Sequence, residues 1–272
     1  MKTNVELTDR SGGHSKIFRA RAEHGAAPHP NGLDPHSAAD PCSTCGVRTI
    51  SVCDAIPDDE LAQLAAISVV AEAPSGQCFI EEGEPARCFF NITAGTARLF
   101  KLLPDGRRQI TGFAGPGHFL GLAVRDTYAF SAEAIDAVRY CRFQRTAMRA
   151  WLDDHPLMEQ RLLAVAAGEL VAAQEQMLLL GRKTARERLA SFLLMQSRQS
   201  MLCGHSRQRF SLPMIRNDIA DYLGVTVETV SRTFTRLCTE RIIDTEAQSQ
   251  VVILDPVALE GLADGRAVRL PR

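Results

Sequence analysis

No run of about 18 consecutive apolar residues occurs in the 272-residue chain, so no membrane-spanning helix is expected. Met1 to Arg10 lacks the apolar stretch of a secretory signal, and the chain is expected in the cytoplasm. No nucleophile–base pair and no glycine-rich phosphate loop stands out, which leaves an enzymatic reading without support. Net charge is nearly absent: 31 basic against 32 acidic residues leave −1, which neither favours nor excludes a nucleic-acid partner. Disulfides are not expected from the eight cysteines in a reducing compartment. At 45% apolar and 23% charged the chain reads as globular, and its length allows about two domains.

Charge is present locally where it is missing overall. Between Arg182 and Arg236 ten Lys and Arg residues face only Glu187, Asp218, Asp221 and Glu228. That excess suits phosphate, although a solvated basic face carries the same signature. Residues 1–40 are rich in Gly, Pro, Ala and charge with no apolar period, and read as a disordered tail. The irregular spacing of His14, His24, His29 and His36 within it does not suggest a metal site.

Pro57 with Asp58, Asp59 and Glu60 opens a short helix bearing Leu61, Leu64 and Ala65. From about 74 to 145 the texture turns to short β-prone runs at 78–80, 88–92, 97–100, 109–111 and 138–141, divided by glycines. Such regular short strands imply a small antiparallel barrel or sandwich, with Pro104-Asp105-Gly106 as a hairpin turn. A long helix follows over 156–180. Leu163, Ala166, Leu170, Ala173, Met177 and Leu180 recur along it at alternating steps of three and four, as in a dimer seam. A helix packed on its own domain is the alternative. One further step back along the seam reaches Glu159, where two like charges would face each other in a symmetric dimer; a solvated Glu159 ahead of the start of the seam is the alternative. A second helix spans 184–196, and Phe210-Ser211-Leu212 reads as a strand.

Residues 214–239 carry the strongest pattern. Ile215, Ile219, Tyr222 and Leu223 mark one helix, Gly224 breaks it, and Thr226 caps the next. Val230, Phe234 and Leu237 pack that second helix inward, while Glu228, Ser231 and Arg232 share its outer face. Those three are the candidate readers of base edges: Arg for guanine, Glu for cytosine, Ser for either. An ordinary helical hairpin with a polar face is the alternative. Ile242-Ile243 and Val251-Val252-Ile253 read as a wing hairpin.

The run from Asp218 to Arg232 resembles the Crp/Fnr regulators. The resemblance covers residues 42–255 and includes Asp105 to Phe113, Gly168-Glu169-Leu170 and Met177 to Leu180. It implies an α+β fold: a cyclic-nucleotide-binding-like β-roll, a long dimerisation helix and a C-terminal winged helix-turn-helix. The corresponding divisions are a tail (1–40), a cysteine segment (41–56), the roll (57–150), the dimerisation helix (153–182) and the DNA-binding domain (184–272). Glu228, Ser231 and Arg232 match the Fnr and FixK branch, which implies a palindrome of TTGAT half-sites in double-stranded DNA. The cyclic-AMP branch keeps an Arg-Ser pair where this chain has Tyr128-Ala129-Phe130, so no cyclic nucleotide is expected. By the same resemblance the loop 104–108 would touch RNA polymerase.

Cys42, Cys45 and Cys53 are bunched just before the roll. Three close thiolates suit a soft metal, and an iron–sulfur cube needs a fourth ligand. Cys141 is the position that matches the oxygen-sensing Fnr branch, and the spacing of the other three resembles its FnrN-type subgroup. Plain FixK proteins lack such a cluster. The resemblance therefore implies a 4Fe–4S cluster on Cys42, Cys45, Cys53 and Cys141, assembled at low oxygen and stabilising a DNA-binding homodimer. A four-cysteine zinc site or a thiol switch would use the same residues. Cys78, Cys88, Cys203 and Cys238 are read as structural.

Overall fold

The computed structural model describes residues 41–122, 126–246 and 249–266. The expected tail over 1–40, with its four histidines, lies outside the described residues.

Short 3-10 turns at Arg48–Ile50, Val52–Ala55 and Asp58–Glu60 lead into α1 (Leu61–Ala66), which buries Leu61 and Leu64 as its apolar spacing requires. Eight strands follow: β1 (Ser68–Ala73), β2 (Cys78–Ile80), β3 (Cys88–Ala94), β4 (Ala97–Leu102), β5 (Arg108–Ala114), β6 (Phe119–Leu120), β7 (Ser131–Ala134) and β8 (Val138–Gln144). They form two antiparallel sheets, ordered β1-β8-β3-β6 and β2-β7-β4-β5. Gly106 turns β4 into β5 at φ +84°, a conformation costly for a residue with a Cβ. Sequence pattern does not anticipate β1, β6 or β7. In β7, Ser131-Ala132-Glu133-Ala134 has little intrinsic strand preference; its small Ala132 and Ala134 are fully buried inside the roll, and tertiary fit decides.

The remaining elements are α2 (Arg145–Leu152), α3 (Pro156–Arg182), α4 (Ala185–Leu202), β9 (Arg209–Ser211), α5 (Arg216–Leu223), α6 (Val227–Thr239), β10 (Ile243–Glu246), β11 (Gln250–Ile253) and α7 (Pro256–Ala263). Thr184 and Glu187 close a capping box at the start of α4. The antiparallel sheet β10-β11-β9 forms the wing. Sequence pattern does not anticipate α2 or α7 either.

Three apolar cores result. The first fills the roll with Ile80, Phe90, Ile92, Leu120, Tyr128 and Tyr140. The second joins the cysteine segment to the outside of the roll and the first turns of α3: Val52, Cys53 and Ile56 meet Phe89, Phe119, Phe143, Met158 and Leu162. The third unites α4, α5, α6, the wing and α7, and takes in Phe100 and Ile110 from the roll.

Along α3 only Met158, Leu162 and Leu179 are buried. Leu163, Leu170 and Met177 are 66, 60 and 68% exposed, and Ala166 and Ala173 are exposed with them. Leu180, placed in the same seam from sequence, is instead half-buried against the third core. Glu159 is exposed in the first turn. By length and composition alone α3 is apolar enough to cross a membrane, with only Glu169 and Glu175 charged inside its apolar run. Its exposed residues recur at heptad steps, which is the pattern of a face for another helix.

Candidate nucleic-acid interface and cysteine site

The turn between α5 and α6 is built by local chemistry. Gly224 ends α5 in the left-handed conformation at φ +61°, and the Thr226 hydroxyl accepts from the Thr229 N–H at 3.2 Å to start α6. Val230, Phe234 and Leu237 are buried, which turns Glu228, Ser231 and Arg232 outward onto one face near the helix start. The Glu228 carboxyl is held below its usual range by its own backbone N–H, by Thr226 and by the charge of Arg232. A charged acceptor and a charged donor thus stand ready on the outer face. Ile215, read from sequence with Ile219, Tyr222 and Leu223 as marking this helix, is the N-cap of α5 and is exposed.

Most of the local basic excess is consumed inside the chain. Arg186 and Arg236 pair with Glu240, Arg207 with Glu260 and Arg209 with Glu246. Arg216 stacks on Phe234, and Lys183 donates to Ser191. Arg188 donates to the carbonyls of Leu180 and Leu223, both at 2.8 Å, and so joins the end of α3 to the end of α5. Gln176 on α3 donates to the Tyr222 carbonyl at 3.0 Å. The contacts of Arg188 and Gln176 fix α5, and with it the turn into α6, against α3.

The roll also grips α5. Arg98 and Arg108 converge on Asp218, and Gln109 donates to the Asp221 carbonyl at 2.7 Å. At the tip of the same hairpin Arg107 pairs with Asp105 on the surface.

The second site lies at the foot of α3. Cys42 and Cys45 occupy a turn closed by the Cys45 N–H on the Cys42 carbonyl at 3.3 Å. Cys53 is buried, and its N–H donates to Ser51 Oγ at 3.2 Å. Cys141 lies on β8 between Val70 of β1 and Asn91 of β3. Burial pushes the Cys53 thiol up, with Cys45 adding to it and Ser51 opposing. Burial, then the proximity of Cys45 and Cys53, pushes Cys141 up to about 11. Cys45, Cys53 and Cys141 therefore sense one another, and Cys42 packs against the same core as Cys53 and Cys141. The donor chemistry, thiols gathered in an apolar recess, fits a soft metal centre. Among the described residues no group of three or more His, Cys, Asp or Glu is disposed to hold a single metal ion. Gly117 brings the roll onto this segment: a Cβ there would lie 2.9 Å from the Ile50 carbonyl oxygen.

The other cysteines have separate surroundings: Cys88 packs on the roll core, Cys238 on the third core, Cys78 bonds within its own strand, and Cys203 accepts from Gln199 and donates to the Pro116 carbonyl. Where the resemblance to nucleotide-binding relatives would place Arg-Ser, Tyr128 turns inward and its hydroxyl donates to the Cys88 carbonyl at 2.9 Å. Phe79, Phe90 and Tyr140 fill the space beside it.

Residues 187–262 match the family described as the Crp-like helix-turn-helix domain, and residues 70–155 that described as the cyclic nucleotide-binding domain. The chain is 40% identical over 222 residues to the nitrogen fixation regulation protein FixK of Bradyrhizobium diazoefficiens, covering 82% of this chain and 93% of the relative. It is 36% identical over 218 residues to the transcriptional activator protein FnrL of Cereibacter sphaeroides, covering 79% and 88%. The solved structure of FixK2 from Bradyrhizobium japonicum is similar, with a TM-score of 0.67, 35% identity, and 75% of this chain and 99% of that chain covered.

Proposed function

Because this chain belongs to the Crp/Fnr family of DNA-binding transcription activators, we propose that it is an oxygen-responsive member, bound as a homodimer to a TTGAT-type palindrome and governed by its cysteine site. The observation that carries the DNA half is the outward trio Glu228, Ser231 and Arg232 on a capped helix whose other face is buried. Two such helices on a two-fold axis suit half-sites one helical turn apart. The exposed apolar face of α3 supplies the surface for the second copy. Asp105 and Arg107 at the hairpin tip remain available to RNA polymerase, whereas Arg108 is committed to Asp218.

The sensing half rests on the gathering of Cys45, Cys53 and Cys141, with Cys42 beside them, against the first turns of α3. Cys42, Cys45, Cys53 and Cys141 would hold a 4Fe–4S cluster, which would supply an oxygen-labile cross-link between the segment 42–53 and the roll. Val52, Cys53 and Ile56 share a core with Met158 and Leu162, so holding the segment steadies the start of α3 and thereby the dimer. The aromatic filling of the roll favours no cyclic nucleotide.

A second reading, a zinc- or thiol-switched regulator of the FixK kind, has the 40% identity to FixK in its favour. Iron and acid-labile sulfide in anaerobically purified protein separate the two. The proposal expects both, together with tight binding to a TTGAT palindrome that weakens in air. Zinc without sulfide would transfer the assignment to the second reading.

A further inference from the structure

The wall of the roll that faces the cysteine segment has one polar interruption. Alternate residues of β3 and β8 point to it: Phe89 and Asn91 from one, Cys141 and Phe143 from the other, with Phe119 of β6 alongside. Asn91 is 1% exposed and pairs with Cys141 on one side and Phe119 on the other. Its Nδ2 lies 3.9 Å from Cys53 Sγ. Its Oδ1 is buried with no hydrogen-bond partner among the described residues. A buried amide left half-satisfied is unfavourable, and an apolar side chain of the same size would pack this wall better. Asn91 is therefore poorly explained by packing, and its amide is aimed into the thiol site.

We propose that Asn91 is a positioning residue of that site: its amide N–H donates to the Cys53 sulfur and holds it, as a thiolate, toward a bound soft metal or iron–sulfur cluster. The inference rests on the reading of Cys42, Cys45, Cys53 and Cys141 as a ligand set. A thiolate in an apolar recess has no water to stabilise it, and a fixed N–H donor takes that role. Outer partners of this kind commonly change metal affinity about 10–100-fold. Asn91 also ties β3 to the segment that bears Cys53, so the hydrogen bond orients the sulfur as well as stabilising it.

The test uses the full chain, metal-free and reduced under anaerobic conditions, titrated with Co2+ against a chelator and read at the sulfur-to-cobalt charge-transfer band. Asn91→Leu keeps the volume and removes the donor. Asn91→Thr suits a strand and is too short to reach the sulfur. Both should bind Co2+ about 10–100-fold more weakly than the unmodified chain. The melting temperature of metal-free Asn91→Leu should equal or exceed that of the unmodified protein, a split that a packing role would not produce. After reconstitution with iron and sulfide, both variants should lose the visible chromophore faster in air. Equal Co2+ affinity and equal chromophore lifetime would overturn the assignment, and Asn91→Thr alone suffices for this comparison if Asn91→Leu does not fold. If the unmodified protein itself takes up neither Co2+ nor iron and sulfide, the ligand-set reading fails, and this inference fails with it.

Discussion

Arg98 on β4 and Asp218 on α5 are 120 residues apart in sequence, and their side chains meet at 3.1 Å. The carboxylate is 1% exposed and accepts from Arg108 as well, at 3.0 Å. Arg98 in turn holds Glu133 on β7 at 2.5 Å. This buried network fastens the first helix of the DNA-reading pair to the roll. It lies on the same hairpin whose Phe100 and Ile110 enter the third core.

Removing Asp218 takes away the carboxylate that Arg98 and Arg108 share in a partly buried site, leaving Arg98 only Glu133 and Arg108 only the longer contact to Asp221 at 3.6 Å. Asp218→Ala is expected to destabilise the fold by about 3 kcal/mol. Urea unfolding at neutral pH measures this. A loss under about 1 kcal/mol would mean that the network behaves like a surface ion pair.

Arg232 stands on the outer face of α6 beside Glu228 and Ser231, away from the buried trio that holds the helix. Arg232→Ala should cost about 1–3 kcal/mol of binding to the palindrome and much less on a scrambled duplex. Fluorescence anisotropy with both duplexes is the measurement. Equal losses would make Arg232 a phosphate contact rather than a base reader.

Cys42, Cys45, Cys53 and Cys141 should each be required for an anaerobic chromophore containing iron and sulfide, whereas Cys203→Ser and Cys238→Ser retain it. Metal and sulfide analysis of these serine variants, with Cys88→Ser added, decides the ligand set. Loss at Cys88 with retention at Cys141 would move the fourth ligand to the neighbouring strand.

The burial of Cys141 has a consequence for alkaline stability in the metal-free, reduced protein. Its thiol titrates at about 11 against an ordinary value of 9.0, so the folded chain keeps a proton that the unfolded chain releases. Stability from this group is complete below pH 9 and falls as pH rises from about 9 toward 11. Cys141→Ala should flatten that part of the stability–pH curve. Urea midpoints between about pH 8 and 11 in the two proteins check it.

Glu159 is exposed in the first turn of α3, at the step preceding Leu163 in the apolar face. If two copies pair along that face, Glu159→Leu removes a like-charge contact and should shift the cluster-free protein toward dimer. Leu170→Glu should do the reverse by charging the centre of the face. Sedimentation of the cluster-free protein distinguishes these outcomes from an unchanged monomer–dimer balance.

Much of the interface is legible in the sequence because its signals are local. Gly224, Thr226 and the buried trio Val230, Phe234 and Leu237 act within a few residues of one another, through a left-handed turn, a cap and helical period. The turn at Gly106 and the strand runs of β2 to β5 and β8 are readable for the same reason. β7 is not, because alanines in a strand carry no β signal and are selected by the room inside the roll. The basic stretch misleads in its amount. Charge counted along the chain omits partners such as Glu240, Glu246 and Glu260, which lie beyond the stretch.

By itself the sequence determined the run of short strands before a long helix and a helix-turn-helix, the outer polar face of α6, the apolar repeat along α3 and the grouping of Cys42, Cys45 and Cys53, since each is a matter of spacing over a few turns or residues. Only the tertiary structure decided what meets across long separations. It set Asp218 between two arginines of the roll, turned Leu180 into its own core, and tied α3 to α5 through Arg188. It also laid Asn91 against Cys53 beside Cys141. Strand register and the closing of separate cores govern those contacts, and neither leaves a periodic trace in the residues that take part.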